Sequence, residues 1–296
     1  MKIAIVADGG KGVGLGHLSR CLAIAQALRK RGQRAVFLTS DPGCRAWVRR
    51  QGFASAPWRD GKWDVMISDS YRLRASDLAR LRAQAGLWLA LDDLGRPPKG
   101  ADLVLNASAG AAAMGYPRSK RFLLGPRWSL LRREYWTRRT KRLKARVENL
   151  LITVGGSGAP SARLLARARA ALPGAILHVV VGPFAKANLR GATVHHAPPS
   201  LEPLMRLCDA AISGGGQTLY ELAARGVPAV GVILARNQKP NVSALAAKGC
   251  LLSGEPGAAL MRLASPAARR KMSSAQRRLV DGQGARRIAA RLIAGR

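Results

Sequence analysis

The chain has 296 residues, 48% hydrophobic and 22% charged, the composition of a folded globular protein rather than a disordered one. Its 32 glycines follow no three-residue period, which excludes a collagen-like rod, and Arg, Gly or Asp breaks every apolar run well short of the ~30 Å of a bilayer core. With 50 Lys and Arg against 16 Asp and Glu the formal charge is +34, a field that attracts polyanions: nucleic acid, anionic lipid or phosphorylated small molecules.

Residues 3–6 read as a strand. Residues 17–31 read as a helix, with Leu18, Cys21, Leu22, Ala25 and Leu28 forming an apolar stripe at 3/4 spacing. Strands follow at 35–38 and 65–67, a helix around 75–84, and buried strands at 88–91 and 103–105. This alternation is the pattern of a parallel sheet wrapped by helices. It pauses over 126–146 and restarts with a strand at 149–154. A helix (161–171), a strand (176–181), a strand-helix pair (210–213, 217–225) and a strand (229–232) follow, and the Arg-rich tail 266–293 is helical. We therefore expect an α/β protein of two doubly wound, Rossmann-like domains facing one another across a cleft. The predicted domains are 1–146 and 147–296, the last helices returning onto the first domain.

Cys21, Cys44, Cys208 and Cys250 are widely spaced, and the N-terminus has too short an apolar run for a secretion signal. Reduced thiols in a cytoplasmic protein are expected. No His, Cys and Asp spacing fits a metal site. From Arg118 to Arg146 there are twelve basic residues and one acid, Glu134. The choices are a solvated basic face or a membrane-surface patch in which Phe122, Leu130, Leu131, Tyr135 and Trp136 enter the inner-membrane interface. Specific nucleic-acid binding ranks third, because aromatics are only 5% and no nucleic-acid-binding signature is present.

Three glycine-rich turns follow strands. The first runs from Asp8 through Gly9, Gly10, Gly14 and Gly16 to His17 at a helix start. It fits neither the dinucleotide fingerprint nor the P-loop. A helix N-terminus is a positive environment that favours a neutral imidazole, and a neutral imidazole can act as a general base. The second, Ser213-Gly214-Gly215-Gly216-Gln217-Thr218, lets backbone approach a diphosphate, with the Thr218 hydroxyl as donor and Glu221 as acceptor for ribose hydroxyls. The third, Gly155-Gly156-Ser157-Gly158, narrowly misses the nucleophile elbow of serine hydrolases because Ala159 replaces its last glycine. His178 lies in an apolar strand and reads as packing, while His195 and His196 are adjacent and point to different sides of an extended segment.

Several segments in order resemble the UDP-sugar hydrolases of pseudaminic acid biosynthesis, relatives of the MurG-type glycosyltransferases. The most telling is Gly14-Leu15-Gly16-His17-Leu18-Ser19-Arg20-Cys21. Asp69-Ser70-Tyr71, Leu91-Asp92-Asp93-Leu94, Leu130-Leu131-Arg132-Arg133-Glu134-Tyr135, Gly155-Gly156-Ser157, residues 212–222, and Arg236-Asn237-Gln238 with Asn241 also fit. Val6, Trp128 and Gly158 depart from the family pattern.

The resemblance implies a GT-B fold and a monomer. It also implies metal-independent, cofactor-free hydrolysis that releases UDP with inversion from a UDP-linked diacetamido-trideoxyhexose, serving surface or flagellin glycosylation. His17 would be the base, Tyr71 would orient the water or a sugar hydroxyl, and Asp8 would orient His17 or a sugar hydroxyl. Gly14, Gly16, Arg20, Gly156, Ser157, Gly214, Gly215, Gly216, Thr218, Glu221, Asn237 and Gln238 would contact substrate. The alternatives are a UDP-sugar glycosyltransferase acting on a lipid-linked or other acceptor, and a non-catalytic polyanion binder.

Overall fold

The computed structural model describes residues 1–10, 13–137, 141–155, 158–183, 185, 187 and 189–295. The chain forms two compact units, Met1–Arg133 with Gln283–Arg296, and Glu134–Gly282.

In the first unit β1 (Ile3–Ala7), β2 (Ala35–Leu38), β3 (Ala54–Ala56), β4 (Trp63–Asp69), β5 (Ala85–Leu91), β6 (Leu103–Asn106) and β7 (Phe122–Leu124) form one sheet. Their order is β3-β2-β1-β4-β5-β6-β7 and every pairing is parallel. Helices α1 (Gly16–Arg29), α2 (Pro42–Arg50) and α3 (Ala75–Gln84) connect the early strands. Parallel strands need crossovers, and crossovers cover both faces; β1 is accordingly buried along its whole length.

The second unit has a parallel sheet in the order β10-β9-β8-β11-β12. Its strands are β8 (Asn149–Thr153), β9 (Ile176–Val181), β10 (Thr193–His196), β11 (Ala210–Gly214) and β12 (Ala229–Val232). Its helices are α4 (Ala162–Ala171), α5 (Glu202–Leu207), α6 (Thr218–Arg225), α7 (Lys239–Ala247), α8 (Pro256–Ala264) and α9 (Pro266–Leu279). The core is aliphatic, with Leu150, Ile152, Val179, Ile212 and Val230 from the strands against Leu165, Leu260 and Leu263 from α4 and α8.

The predicted helical tail is two helices separated by residues 280–283. The second, α10 (Gly284–Ala294), belongs to the first unit and packs on α1. That is why α1 is buried beyond its predicted stripe, with Ala23, Ile24 and Ala27 also inside. Gly284 permits a second close approach, of the start of α10 to the 128–129 backbone, since a Cβ there would lie 2.3 Å from the Ser129 carbonyl oxygen.

The compact units divide at 133/134, not at 146. Tyr135 is 1% exposed and directs its hydroxyl to Met205 Sδ at 3.7 Å. The Arg225 guanidinium stacks over its ring and donates to the Thr137 and Glu134 carbonyls. Leu130 and Leu131 are core residues as well. Three of the five side chains expected to enter lipid are therefore inside the protein, and the apolar part of the membrane-patch expectation is withdrawn. The cysteines are free and buried, and burial pushes the Cys44 and Cys208 thiols up to about 12.

Candidate active site

In a parallel sheet, loops from strands that diverge at a reversal of strand order leave a crevice at the carboxyl ends. The first unit has its reversal at β1/β4. In-register pairing sets Ala7 beside Asp69, and the Asp8 amide donates to the Asp69 carbonyl at 3.2 Å. Beyond β1, Gly10 and Gly14 exchange both backbone hydrogen bonds, at 3.0 and 2.8 Å. Their φ angles, +102° and +79°, are open to glycine and strained for other residues. Gly14 is buried with its N–H and C=O both bonded to Gly10, so it shapes the turn. Gly16, the exposed first residue of α1, has open space around it.

The loop delivers His17 into a charged network. His17 Nδ1 lies 2.6 Å from Asp69 Oδ1, and Arg20 Nη2 converges on the same oxygen at 2.5 Å. Arg20 Nε donates to Asp69 Oδ2, and Nη1 forks onto both Asp93 oxygens at 2.8 Å. Burial alone would raise the Asp69 carboxyl. The Arg20 charge and hydrogen bonds, with the His17 bond, outweigh it and hold the group well below the usual carboxylate range. An ionised Asp69 only accepts, so Nδ1 carries the hydrogen and Nε2 is left as the basic nitrogen.

Tyr71 completes the group. Its ring meets the His17 ring edge-on at 4.5 Å and its hydroxyl donates to Asp93 Oδ2 at 2.6 Å. Burial first, then Asp93, pushes the phenol above its ordinary value and keeps the proton on it. The side chain remains 49% exposed.

Two expectations change here. Asp8 does not hold His17; Asp69, on the strand beside β1, does. Asp8 instead accepts from Ser70 Oγ and lines a hollow of about 250 Å³ with Thr39, Trp58, Ser70 and Arg72. Arg20 is not a free substrate ligand, because its guanidinium is committed to two carboxylates. Asp69 ends β4 and Asp93 lies two residues past β5; neither carries an expected role, and the usable signal is an aspartate at or just beyond the carboxyl end of each strand.

In the second unit the reversal lies at β8/β11. The Gly215 N–H and the Leu234 N–H both donate to Gln238 Oε1 at 3.0 Å. Asn241 Nδ2 donates to the Gly215 carbonyl at 2.9 Å, and the Tyr220 hydroxyl donates to Asn241 Oδ1. Gln238 was expected on the sugar; its carbonyl oxygen is spent on the turn. A Cβ on Gly214 would lie 2.8 Å from Leu234 Cδ1, and one on Gly215 would lie 2.7 Å from Gln238 Cβ and Val242 Cγ2. These two glycines are required by packing, whereas Gly216 is exposed with nothing within 4 Å. Thr218 opens α6, Glu221 is buried one turn in, and Asn237 is exposed. Gly156 and Ser157 lie outside the described residues.

His178 bonds Asn149 Oδ1 at 2.9 Å and His195 Nε2 at 3.1 Å, and burial followed by His195 lowers it. Among the described residues no cluster of His, Cys, Asp and Glu is arranged to hold a metal ion, and no helix is long and apolar enough to cross a membrane.

No protein-family model matches the chain. It is 27% identical over 248 residues to the Helicobacter pylori protein named pseudaminic acid cytidylyltransferase and UDP-2,4-diacetamido-2,4,6-trideoxy-beta-L-altropyranose hydrolase, covering 80% of this chain and 45% of that one. It is 24% identical over 268 residues to an uncharacterized protein of Methanocaldococcus jannaschii, covering 78% and 55%. The chain thus spans about half the length of the curated relatives it matches. Among solved structures, the spinosyn forosaminyltransferase SpnP superposes with a TM-score of 0.70 at 16% identity, covering 99% and 98% of the two chains. Acinetobacter baumannii MurG gives 0.64 at 16%, covering 99% of both, and LpCGTa, solved in complex with UDP, gives 0.66 at 14%, covering 98% and 99%. The fold is the GT-B fold of glycosyltransferases, two Rossmann-like units of mixed α/β structure.

Proposed function

We propose that the protein is a nucleotide-sugar hydrolase that releases UDP from a UDP-linked sugar, by the resemblance a diacetamido-trideoxyhexose, with inversion at the anomeric carbon. The observation that carries the reading is the His17–Asp69 pair: a carboxylate kept ionised by Arg20 fixes Nδ1–H and leaves Nε2 as a proton acceptor at the carboxyl ends of the strands. The named activity of the H. pylori relative supports it.

In the proposed reaction unprotonated His17 Nε2 takes a proton from a water molecule. The water oxygen bonds to the anomeric carbon, and the bond from that carbon to the diphosphate oxygen breaks with its electron pair, releasing UDP. Tyr71 donates to Asp93, so its oxygen can accept a hydrogen from that water and orient it. Asp69, Arg20 and Asp93 are positioning residues. The nucleotide end is assigned to the second unit, where the positive end of α6, opened by Thr218 beside the exposed Gly216, would meet the growing negative charge. Thr218, Glu221 and Asn237 keep their assignments as diphosphate, ribose and sugar ligands.

A glycosyltransferase is the second reading, favoured by the transferase names of the similar structures. A sugar hydroxyl could replace water at the same base. The deciding experiment incubates the protein with a panel of UDP-sugars, with and without acceptor alcohols, and follows UDP and product anomer by NMR. UDP release without acceptor, yielding the inverted free sugar, is expected. Release that requires an acceptor would overturn hydrolysis in favour of transfer.

A further inference from the structure

The second unit carries a cavity at the end of its sheet opposite the glycine turn. It holds about 520 Å³ and is lined by Lys141, Arg142, Lys144, Arg206, Asp209 and Arg225, with Met205 and Leu207. Asp209 immediately precedes β11, and its Oδ2 accepts from the amides of Glu148 and Asn149 at the start of β8. The cavity therefore sits at the amino ends of β8 and β11. The glycine turn sits at the carboxyl end of β11, about 15 Å away at the rise of a strand.

Five cationic side chains share this cavity with one carboxylate. That carboxylate is 1% exposed, with one oxygen already taken by two backbone donors. Some of the cations have structural partners. Arg225 faces Glu202 at 3.1 Å and donates to two carbonyls; Lys144 pairs with Glu148. Lys141 donates to the carbonyls of Met205 and Arg206 at the end of α5, at 3.3 and 2.5 Å, which uses two of its three donors. Arg142 and Arg206 have no side-chain hydrogen bond or ion pair among the described residues, and both are exposed. Burial chiefly, with repulsion from Lys144 and Arg206, pulls the Lys141 ammonium below its ordinary value despite Asp209. Like charges gathered in a partly buried space repel, and a multivalent anion relieves the repulsion.

We propose that this cavity is a second anion site, which takes a phosphoryl or pyrophosphoryl group between Arg142, Arg206 and the remaining donor of Lys141. Guanidinium forks match phosphate oxygens in pairs, and a charge of two or more matches several cations better than a monovalent anion does. The site explains the densest part of the basic stretch, which the catalytic reading leaves unused, and it stands or falls independently of that reading.

The test is calorimetric titration of the full chain with inorganic pyrophosphate at low salt. Saturable binding is expected, weakened at least ~10-fold in Arg142→Ala/Arg206→Ala. The control is Arg49→Ala/Arg50→Ala, an exposed pair at the end of α2. No saturable binding by the wild type, or equal loss in the two double variants, would show only diffuse attraction to the +34 chain and overturn the proposal. UDP affinity should be unchanged in Arg142→Ala/Arg206→Ala; a parallel loss would merge this site with the nucleotide site and also overturn it. Vesicles of phosphatidylcholine with phosphatidylglycerol identify the source of the group. Variant-sensitive co-sedimentation alongside pyrophosphate binding supports the site with a lipid headgroup as ligand. Pyrophosphate binding alone supports it with a soluble ligand, and vesicle binding without pyrophosphate binding overturns it.

Discussion

The two described glycine-rich turns end parallel strands and open helices, yet glycine serves a different physical purpose in each. After β1, Gly10 and Gly14 are needed for backbone conformation, with φ of +102° and +79°. After β11, Gly214 and Gly215 are needed for space, because Leu234, Gln238 and Val242 press against them. The surroundings differ in the same way. The first turn leads into ionised groups, Asp69, Arg20 and Asp93, joined through one guanidinium. The second is clamped by neutral amides and a phenol, Gln238, Asn241 and Tyr220. A network of charges fixes the direction of an imidazole and the location of its proton. A neutral clamp fixes the path of a backbone without adding charge that would repel a diphosphate.

The largest effect should come from breaking the charged side. His17→Asn is expected to lower kcat about 10²–10⁴-fold while UDP affinity, measured by calorimetry, stays near wild type. Equal losses in rate and affinity would show that base and nucleotide contacts are not divided as proposed. Asp69→Asn should cost about 3–5 kcal/mol in urea denaturation, since it strips a partner from half-buried Arg20 and buried His17 and leaves the Arg20 charge with Asp93 alone. The pH dependence has a definite sign. The folded Asp69 carboxyl lies below its unfolded value, so its contribution is complete above about pH 4 and is lost as pH falls further toward the depressed folded value. The gap in urea midpoint between wild type and Asp69→Asn should therefore narrow in strong acid; a gap that holds constant down to pH 2 would exclude this carboxylate as its source.

The alternation of short strands and helices was legible because parallel strands buried on both faces become near-continuous apolar runs, as in β1 and β8. The place of His17 at the start of α1 was legible because a glycine turn after a strand leaves few places for a helix to begin. The partner of His17 was not. Asp69 lies 52 residues away, and only the pairing of β4 with β1 puts it beneath α1; Asp8, nearer in sequence, was the natural but incorrect candidate. Local pattern likewise could not separate amphipathic surface from core in the basic stretch, where Leu130, Leu131 and Tyr135 are buried, Tyr135 against Met205 some 70 residues away in its own unit. The Gln238 and Asn241 amides were visible as a motif, but which way they face depends on how closely α7 approaches the turn.

The neutral side is sharpened by adding a methyl to the turn or removing the amide that clamps it. Gly215→Ala must displace Gln238 or Val242, both within 2.7 Å of the new carbon, and should cost about 1–3 kcal/mol by overpacking. Gln238→Ala leaves the Gly215 and Leu234 N–H groups without their shared acceptor and should cost about 1–2 kcal/mol. Gly216→Ala is the most discriminating because its expected effect on stability is the smallest. No atom lies within 4 Å of the added carbon and the φ angle is not in the left-handed region, so the urea midpoint should stay within about 0.5 kcal/mol of wild type. The same methyl would nevertheless stand on the open face of the turn, where a diphosphate must come within hydrogen-bond distance of the backbone. A clear loss of UDP affinity in a variant of unchanged stability would place the diphosphate on this turn. Full affinity would move it elsewhere in the second unit and leave Gly214 and Gly215 as packing glycines alone.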